Sequence, residues 1–239
     1  MDFFHTPPEL VSADTLTIKG EEFSHLTHVM RKRQGDRIMV VDGAGSAYEA
    51  AVGDTTGRSV LCRIEARHRM LHEAALAVHL GVALLKNTSK FDFLVEKCTE
   101  LGVASFTPLV TERTIPRSAR VERWRKITLA AMKQSGRCVL PAVMPPVSLE
   151  QFCTGAAPDA LRLILHEKPG TSSPAALLVR HTIATTILLC IGPEGGFSED
   201  EIARAGIRGF VSAGLGPRRL RTETAAITAA AVCLAGPSL

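Results

Sequence analysis

The sequence predicts an α/β protein with a mainly parallel sheet, preceded by a small β-barrel, and three observations predict it. Residues 1 to 71 hold short alternating runs, "TLTIKG" and "DRIMVVDGAGSAYEAAVGDTTGRSVLCRIEARH", broken by the turn signals "DGAG" and "GDTTG". Strands this short close most readily into a small barrel. From residue 72 onward, continuous apolar runs alternate with helix-period segments, the mark of strands buried on both faces and covered by helices. Glycine and proline turns follow three of those runs, all in the last third of the chain. The expected domains are therefore 1–71 and 72–239.

Within the second domain "AALAVHLGVALL" (74–85) reads as a buried strand. "SKFDFLVEKCTELG" follows as a helix, with Ser89 as its N-cap and Gly102 at its end. Next come the strand "ASFTPLV", a basic helix after Ser118, the strand "LRLILH" and a short helix after Pro174. The strand "TTILLCI", a helix opened by Ser198, the strand "GFVSAG" and a last helix from about Thr222 complete the order.

Composition narrows the function classes. No apolar run is long enough to span a bilayer, and the start "MDFFHTPPEL" lacks the basic and apolar stretches of a secretory signal, so a cytoplasmic protein with no membrane partner is expected. The six cysteines (Cys62, Cys98, Cys138, Cys153, Cys190, Cys233) show no C-x-x-C spacing and read as buried thiols. His25 and His28 are too few for a metal site, and no metal is expected.

The net charge of +4 is modest, but its distribution is uneven. Arg113, Arg117, Arg120, Arg123, Arg125, Lys126, Lys133 and Arg137 face a single acid, Glu122, which gives +7 in 25 residues. A second run, from Arg204 to Arg221, has five arginines and no acid. One such run is commonly a solvated helix face; two in an otherwise near-neutral chain favour a polyanion such as RNA. Arg31 and Arg33 beside the main hairpin, with Arg113, Arg117, Arg120, Arg123, Arg125 and Arg137, are the candidate RNA contacts.

Ligands of open parallel sheets bind at the carboxyl ends of the strands. The unusual strand ends here are "LHEKPG" (165–170), "IGPEGGFS" (191–198) and "GLGPRRLRTETA" (214–225). None matches G-x-G-x-x-G or G-x-x-x-x-G-K-[ST], and Glu194 would repel a phosphate from its own glycine turn. S-adenosylmethionine fits better: it has no phosphate, its adenine is readable by backbone groups, and its sulfonium tolerates a nearby carboxylate. Ser198 with Glu201 three residues on forms a capping box, so the helix after the turn is pinned by its own side chains rather than by an anion.

"GPEGGFSEDE" followed by "LGPRRLRTETA", with "KFDFLVEKCTELGV" and "KQSGRCVLP" upstream, resembles the bacterial 16S ribosomal RNA uracil-N3 methyltransferases of the SPOUT class. "FSHLTHVMRKRQGDRIMVVDGAGSAYEA" is similar to the N-terminal PUA-like barrel of that family, so the likeness covers nearly the whole chain. It implies a C-terminal trefoil knot, which sequence reasoning alone would not propose. It also implies a homodimer and a target in the decoding region of the small ribosomal subunit. The cofactor pocket it implies comprises Gly192, Pro193, Glu194, Gly195 and Gly196, with Leu215, Gly216, Leu220, Arg221, Thr222, Thr224 and Ala225. Leu165, His166 and Ile191 join them at the strand ends. Two positions depart from the family pattern: Asp2 stands where a basic residue is common, and Lys133 stands in place of an acid.

A carboxylate in a glycine turn has no packing purpose, so Glu194 reads as a site residue. Glu223 either favours its helix N-terminus or touches a ligand. Loss of the uracil N3 proton leaves charge on the flanking carbonyl oxygens, which Arg219 or Arg221 would stabilise. Glu194 and Glu223 are the candidate general bases, with hydroxide or a water chain as the alternative. With one Trp and one Tyr the chain has few stacking platforms, which points to reading RNA by shape and phosphate. Residues alone also leave open a non-catalytic ribosome-assembly factor, or a relative acting on another rRNA or tRNA position.

Overall fold

The computed structural model of the protein describes residues 3–116, 118–155, 159–167, 170–181 and 184–235. It falls into two units, Met1–Glu73 with Leu129–Leu140, and Ala74–Thr128 with Pro141–Leu239.

The first unit is a five-stranded sheet of β1 (Phe3–His5), β2 (Thr15–Lys19), β3 (Arg37–Val41), β4 (Ser46–Thr56) and β5 (Ser59–Arg69), in the order β1-β3-β4-β5-β2. β1 runs parallel to β3, and the other pairs are antiparallel. Laid flat, the outer strands of five would stand roughly 19 Å apart. Thr6 Oγ1 nevertheless donates to the Thr17 carbonyl at 2.6 Å, so the sheet is rolled until its edges meet. Phe4, Leu16, Ile18, Ile38, Val40 and Val60 fill the inside. Helix α1 (Gly20–Ser24) continues into a wide turn, His25–Val29, and adds Phe23 and Leu26 to that core. Met39, Val41 and Ala47, on the other face, pack on Met132 and Cys138.

A buried ion pair anchors the segment 137–139 in this unit. Glu73 and Arg137 side chains are only 5% and 3% exposed, with Arg137 Nη2 at 2.8 Å from Glu73 Oε2. Glu73 Oε1 also accepts from the Cys138 and Val139 amides at 2.9 Å each. Every oxygen of the buried carboxylate is thus paired, as its burial demands. Arg137, expected to touch RNA, is therefore a structural residue: the charge run that suggested it carries no sign of its tertiary partner. Lys133 bonds Glu22, which gives the departure from an acid at this position a local explanation. Asp2 lies outside the described residues.

The second unit is a parallel sheet. Its strands are β6 (Ala77–Ala83), β7 (Ser105–Val110), β8 (Ala142–Val143), β9 (Val147–Ser148), β10 (Leu161–Leu165), β11 (Thr186–Ile191) and β12 (Val211–Ala213). The order is β12-β10-β11-β6-β7-β8, with β9 also on β7, and every described pair is parallel. Helices α2 (Thr88–Leu101) and α7 (Thr222–Leu234) put Phe91, Leu94, Val95, Ala226, Ala229 and Cys233 on one core. Helices α4 (Leu149–Thr154) and α6 (Glu199–Ile207) supply Leu149, Cys153 and Ala205 to a second. Along β11, Ile187, Leu189 and Ile191 enter the first core while Leu188 and Cys190 enter the second, the alternation of a strand buried on both faces. Helices α3 (Val121–Ser135) and α5 (Pro174–Arg180) complete the described elements.

The cap of α2 differs from the expectation. Asn87, not Ser89, is the N-cap: its side chain accepts from the Ser89 amide at 2.9 Å, and Thr88 is already helical. Asn and Ser cap about equally well, so composition did not discriminate between positions two apart. Gly102 ends the helix with φ of 111°, as expected of a glycine cap. On α3, Trp124 stacks on Phe91 with centroids 4.1 Å apart, and its Nε1 donates to Asp92 at 3.0 Å.

Truncating Arg137 to alanine would strand the Glu73 carboxylate in the interior, at an expected cost of about 3–5 kcal/mol. Denaturant unfolding should show this loss for Arg137→Ala, and a change within about 0.5 kcal/mol for the exposed Arg120→Ala.

Candidate active site

The three unusual strand ends meet because β12, β10 and β11 are neighbours. Leu165, Ile191 and Ala213 close those strands, and all three line one cavity of about 1060 Å³. The sheet order explains the location: from β10 the chain steps to β11 on one side and then crosses to β12 on the other, and a crevice opens at such a reversal.

The turn after β11 is almost bare backbone. The Gly196 amide donates to the Pro193 carbonyl at 2.9 Å, and Gly196 has φ of 69°, a left-handed conformation that glycine adopts without cost. A β-carbon on Gly192 would press on the turn itself, 3.2 Å from the Phe197 amide nitrogen and 3.3 Å from the Gly196 carbonyl carbon. On Gly195 it would meet only the aliphatic stem of Arg113, at 3.4–3.5 Å for the two nearest atoms. On Gly196 and Gly216 it would meet nothing within 4 Å, although both have positive φ.

Other segments hold the turn in place. Thr222 Oγ1, at the start of α7, donates to the Gly192 carbonyl at 3.0 Å. Arg219 Nη2 donates to the Glu194 carbonyl at 3.2 Å. Arg113 Nη1 donates to the Gly195 carbonyl at 2.7 Å. The capping box on α6 is present: Ser198 Oγ accepts from the Glu201 amide at 3.2 Å, and Glu201 Oε2 accepts from the Ser198 amide at 2.9 Å. The other oxygen of Glu201 accepts from the Glu112 amide at 2.8 Å, so a buried carboxylate ties the loop after β7 to the loop after β11.

Most of the expected pocket residues are brought together. Leu165, His166, Ile191, Gly192, Pro193, Glu194, Gly195, Gly196, Leu215, Gly216, Arg219, Leu220, Arg221, Thr222 and Ala225 all line the cavity. Glu194 is exposed, with Oε1 3.3 Å from the Lys86 amide. Two expected residues lie elsewhere. Thr224 is exposed and not part of the lining, because one helical step past Glu223 turns it to another face. Glu223 is paired with Lys90 at 2.9 Å and also lies off the lining. Burial pushes its carboxyl up, but the hydrogen bond from Lys90 and the backbone amide outweigh this and hold it below the usual carboxylate value. A paired, readily ionised carboxylate outside the cavity does not serve as its general base.

The basic run is dispersed. Arg123 pairs with Asp92 at 2.7 Å and Arg125 with Glu122 at 2.6 Å, both with exposed arginines, while Arg120 is also exposed. Arg31, with φ of 51°, and Arg33 are exposed on the first unit, and Arg117 lies outside the described residues. Sequence reasoning placed Arg113 among the RNA contacts and missed it as a wall of the cavity. Its position three residues past a buried strand, rather than its charge, was the available signal.

The cavity offers apolar surface and backbone with charge of both signs around it. Leu165, Ile191, Leu215, Leu220 and Ala225 supply the apolar surface, while Glu167, Glu194 and Glu199 stand among Arg113, Arg218, Arg219 and Arg221. The N-terminus of α6 is filled by its own box, so no phosphate cradle remains there. An all-parallel sheet with a cavity at its last three strand ends, in a chain that begins with a small rolled sheet, matches the SPOUT methyltransferase fold with a PUA-like unit.

The chain belongs to the RNA methyltransferase family: the family model described as "RNA methyltransferase domain" matches residues 72–234, and "RNA methyltransferase PUA domain" matches 18–65. The ribosomal RNA small subunit methyltransferase E of Synechocystis sp. is 36% identical over 228 residues, covering 94% of this chain and 74% of that protein. The Bacillus subtilis protein of the same name is 30% identical, covering 94% and 91%. Among solved structures, the Neisseria gonorrhoeae methyltransferase E bound to S-adenosyl methionine superposes with a TM-score of 0.86 at 31% identity, over 97% of this chain and 95% of that one. A Legionella pneumophila methyltransferase in complex with the same cofactor gives 0.80 at 33%, over 98% and 96%.

The glycines of the turn differ in what they tolerate. Gly192→Ala should destabilise the protein by about 1–3 kcal/mol, since the added carbon overpacks the turn backbone. Gly195→Ala should be close to neutral. Thermal unfolding of the two variants checks the order, and equal stabilities would contradict this geometry.

Proposed function

We propose that the chain is an S-adenosylmethionine-dependent methyltransferase that modifies N3 of a uridine in the decoding region of 16S ribosomal RNA. It acts in the cytoplasm, on the assembled small subunit, as a homodimer. The observation that carries the reading is the backbone-walled cavity at Leu165, Ile191 and Ala213, together with family membership and cofactor-bound relatives that superpose over nearly the whole chain.

The cofactor, when bound, supplies an activated methyl group on a sulfonium. Transferred to uracil N3, that methyl group would replace a proton that passes to Glu194 or to water. The backbone of Gly192–Gly196, Leu215 and Gly216 would hold the adenosine, and Leu165, Ile191, Leu220 and Ala225 would exclude water from it. The acids Glu194 and Glu167 suit the positive sulfonium, and Glu194 remains the candidate base. Arg219 is 76% exposed; its Nη2 donates to the Glu194 carbonyl and its Nε stands 3.9 Å from Glu167 Oε2, which leaves Nη1 to meet the uracil oxygen that gains charge. Arg221, beside it on the cavity wall, is the alternative. Arg31, Arg33, Arg120, Arg123 and Arg125 contact phosphate.

Two helix faces support the homodimer. After its first turn helix α7 is apolar apart from Thr228, and Ile227, Ala231, Val232 and Leu234 on it are only half-buried. Phe93 and Leu101 of α2 are exposed.

The decisive test of the reaction is mass mapping of methylated uridine in 16S rRNA from a deletion strain, where the mark should vanish and return with the gene. Single-turnover methylation at saturating cofactor and RNA should slow by on the order of a hundredfold for whichever of Arg219→Ala or Arg221→Ala removes the charge-stabilising donor. Parent rates in both variants would make these arginines phosphate anchors. Replacing Arg120, Arg123 and Arg125 together by alanine should weaken RNA binding and flatten its log–log salt dependence by roughly 0.7 to 0.9 for each phosphate that is no longer neutralised. Cofactor affinity should not change.

A further inference from the structure

We propose that Arg113 is a positioning residue for cofactor binding, holding the 192–197 turn in its receptive shape. The proposal rests on the reading of that turn as part of the S-adenosylmethionine pocket. Arg113 belongs by sequence to the basic run, yet its guanidinium is turned to backbone oxygen. Nη1 lies 2.7 Å from the Gly195 carbonyl and 3.4 Å from the Phe197 carbonyl. Its stem lies against Gly195, where a β-carbon would meet Arg113 Cδ at 3.4 Å and Cβ at 3.5 Å. The arginine stem therefore lies along the turn, at a distance where even an added β-carbon would make only ordinary contact.

The placement of Arg113 is itself over-determined. The corner that presents it is closed by Thr111 and Thr114, which are 5% and 3% exposed. Their hydroxyls bond at 2.8 Å, the Thr111 amide donates to Thr114 Oγ1 at 3.0 Å, and the Thr114 amide donates to the Thr111 carbonyl at 3.1 Å. Beside Arg113, the Glu112 amide is fixed on buried Glu201 at 2.8 Å. A rigid corner is thus anchored next to the turn and extends one charged donor to two of its carbonyls.

Those bonds have a directional consequence. Carbonyls of Gly195 and Phe197 that are engaged by Arg113 are fixed in direction, which fixes the peptide planes next to them and the amides those planes carry. A glycine-rich turn without this brace samples many conformations, and a ligand must select the receptive fraction. Arg113 acts on affinity through the turn and not on the reacting atoms, so its loss should appear in binding.

The test uses Arg113→Met, which keeps an aliphatic stem over Gly195 but removes the donors, and Arg113→Lys, which restores one cationic donor without the planar fork. Calorimetry with S-adenosylmethionine should show the dissociation constant raised by about tenfold in Arg113→Met, the scale of a charged hydrogen bond at an exposed site, and partly restored in Arg113→Lys. RNA affinity and its salt slope should match the parent. The unliganded unfolding midpoint should fall slightly, whereas a general prop of the fold would lower it without weakening cofactor affinity. Parent-like cofactor affinity in Arg113→Met overturns the proposal, and a salt slope lowered by roughly 0.7 to 0.9 would then make Arg113 a phosphate contact. Failure of the parent protein to bind S-adenosylmethionine would overturn the pocket reading itself and the proposal with it.

Discussion

A turn made of glycines cannot hold its own shape, and the functional end of this protein depends on how residues 192–197 are held by others. The turn has to present backbone, so it carries few side chains, and the entropy that this freedom adds to the unfolded chain must be offset elsewhere. Here the offset comes from separate stretches of sequence: Arg113 after β7, Arg219 before α7 and Thr222 at its start. Each bond is worth little alone; their convergence on six residues makes one conformation dominant.

The sheet supplies the frame for this arrangement. Because β10, β11 and β12 are parallel neighbours, their carboxyl ends arrive at the same level, and the loops that follow them face one another. Alternating burial along β11 fixes which way Ile191 points and so where the glycine turn begins. Glu201 illustrates how one side chain serves both levels, since it caps its own helix with one oxygen and ties the loop after β7 with the other.

Much of this was legible in the sequence, and for physical reasons. The change from alternating to continuous apolar runs marks the passage from a rolled sheet to strands buried on both faces. Ser198 and Glu201 sit at capping-box spacing, and local spacing is enough to specify a local bond. The three strand ends were identifiable because glycine and proline there serve no packing need. What escaped depends on residues far apart in the chain. Arg137 and Arg113 share one basic run, yet one is buried against Glu73 and the other braces a loop 82 residues away. Glu223 looked like a site residue until the structure placed Lys90 beside it. Charge along a sequence shows that a side chain wants a partner, not which one it finds. The fold resemblance extended the reading to chemistry that no spacing rule contains.

The central claim is that one cofactor is held by backbone at three strand ends of the second unit. Amide hydrogen exchange with and without S-adenosylmethionine tests it most directly, because it reads the backbone groups themselves. The account predicts added protection in peptides covering 191–197 and 213–222, with no change in the β4–β5 hairpin of the first unit. Protection that appears in the hairpin and leaves both loops unaltered would contradict it.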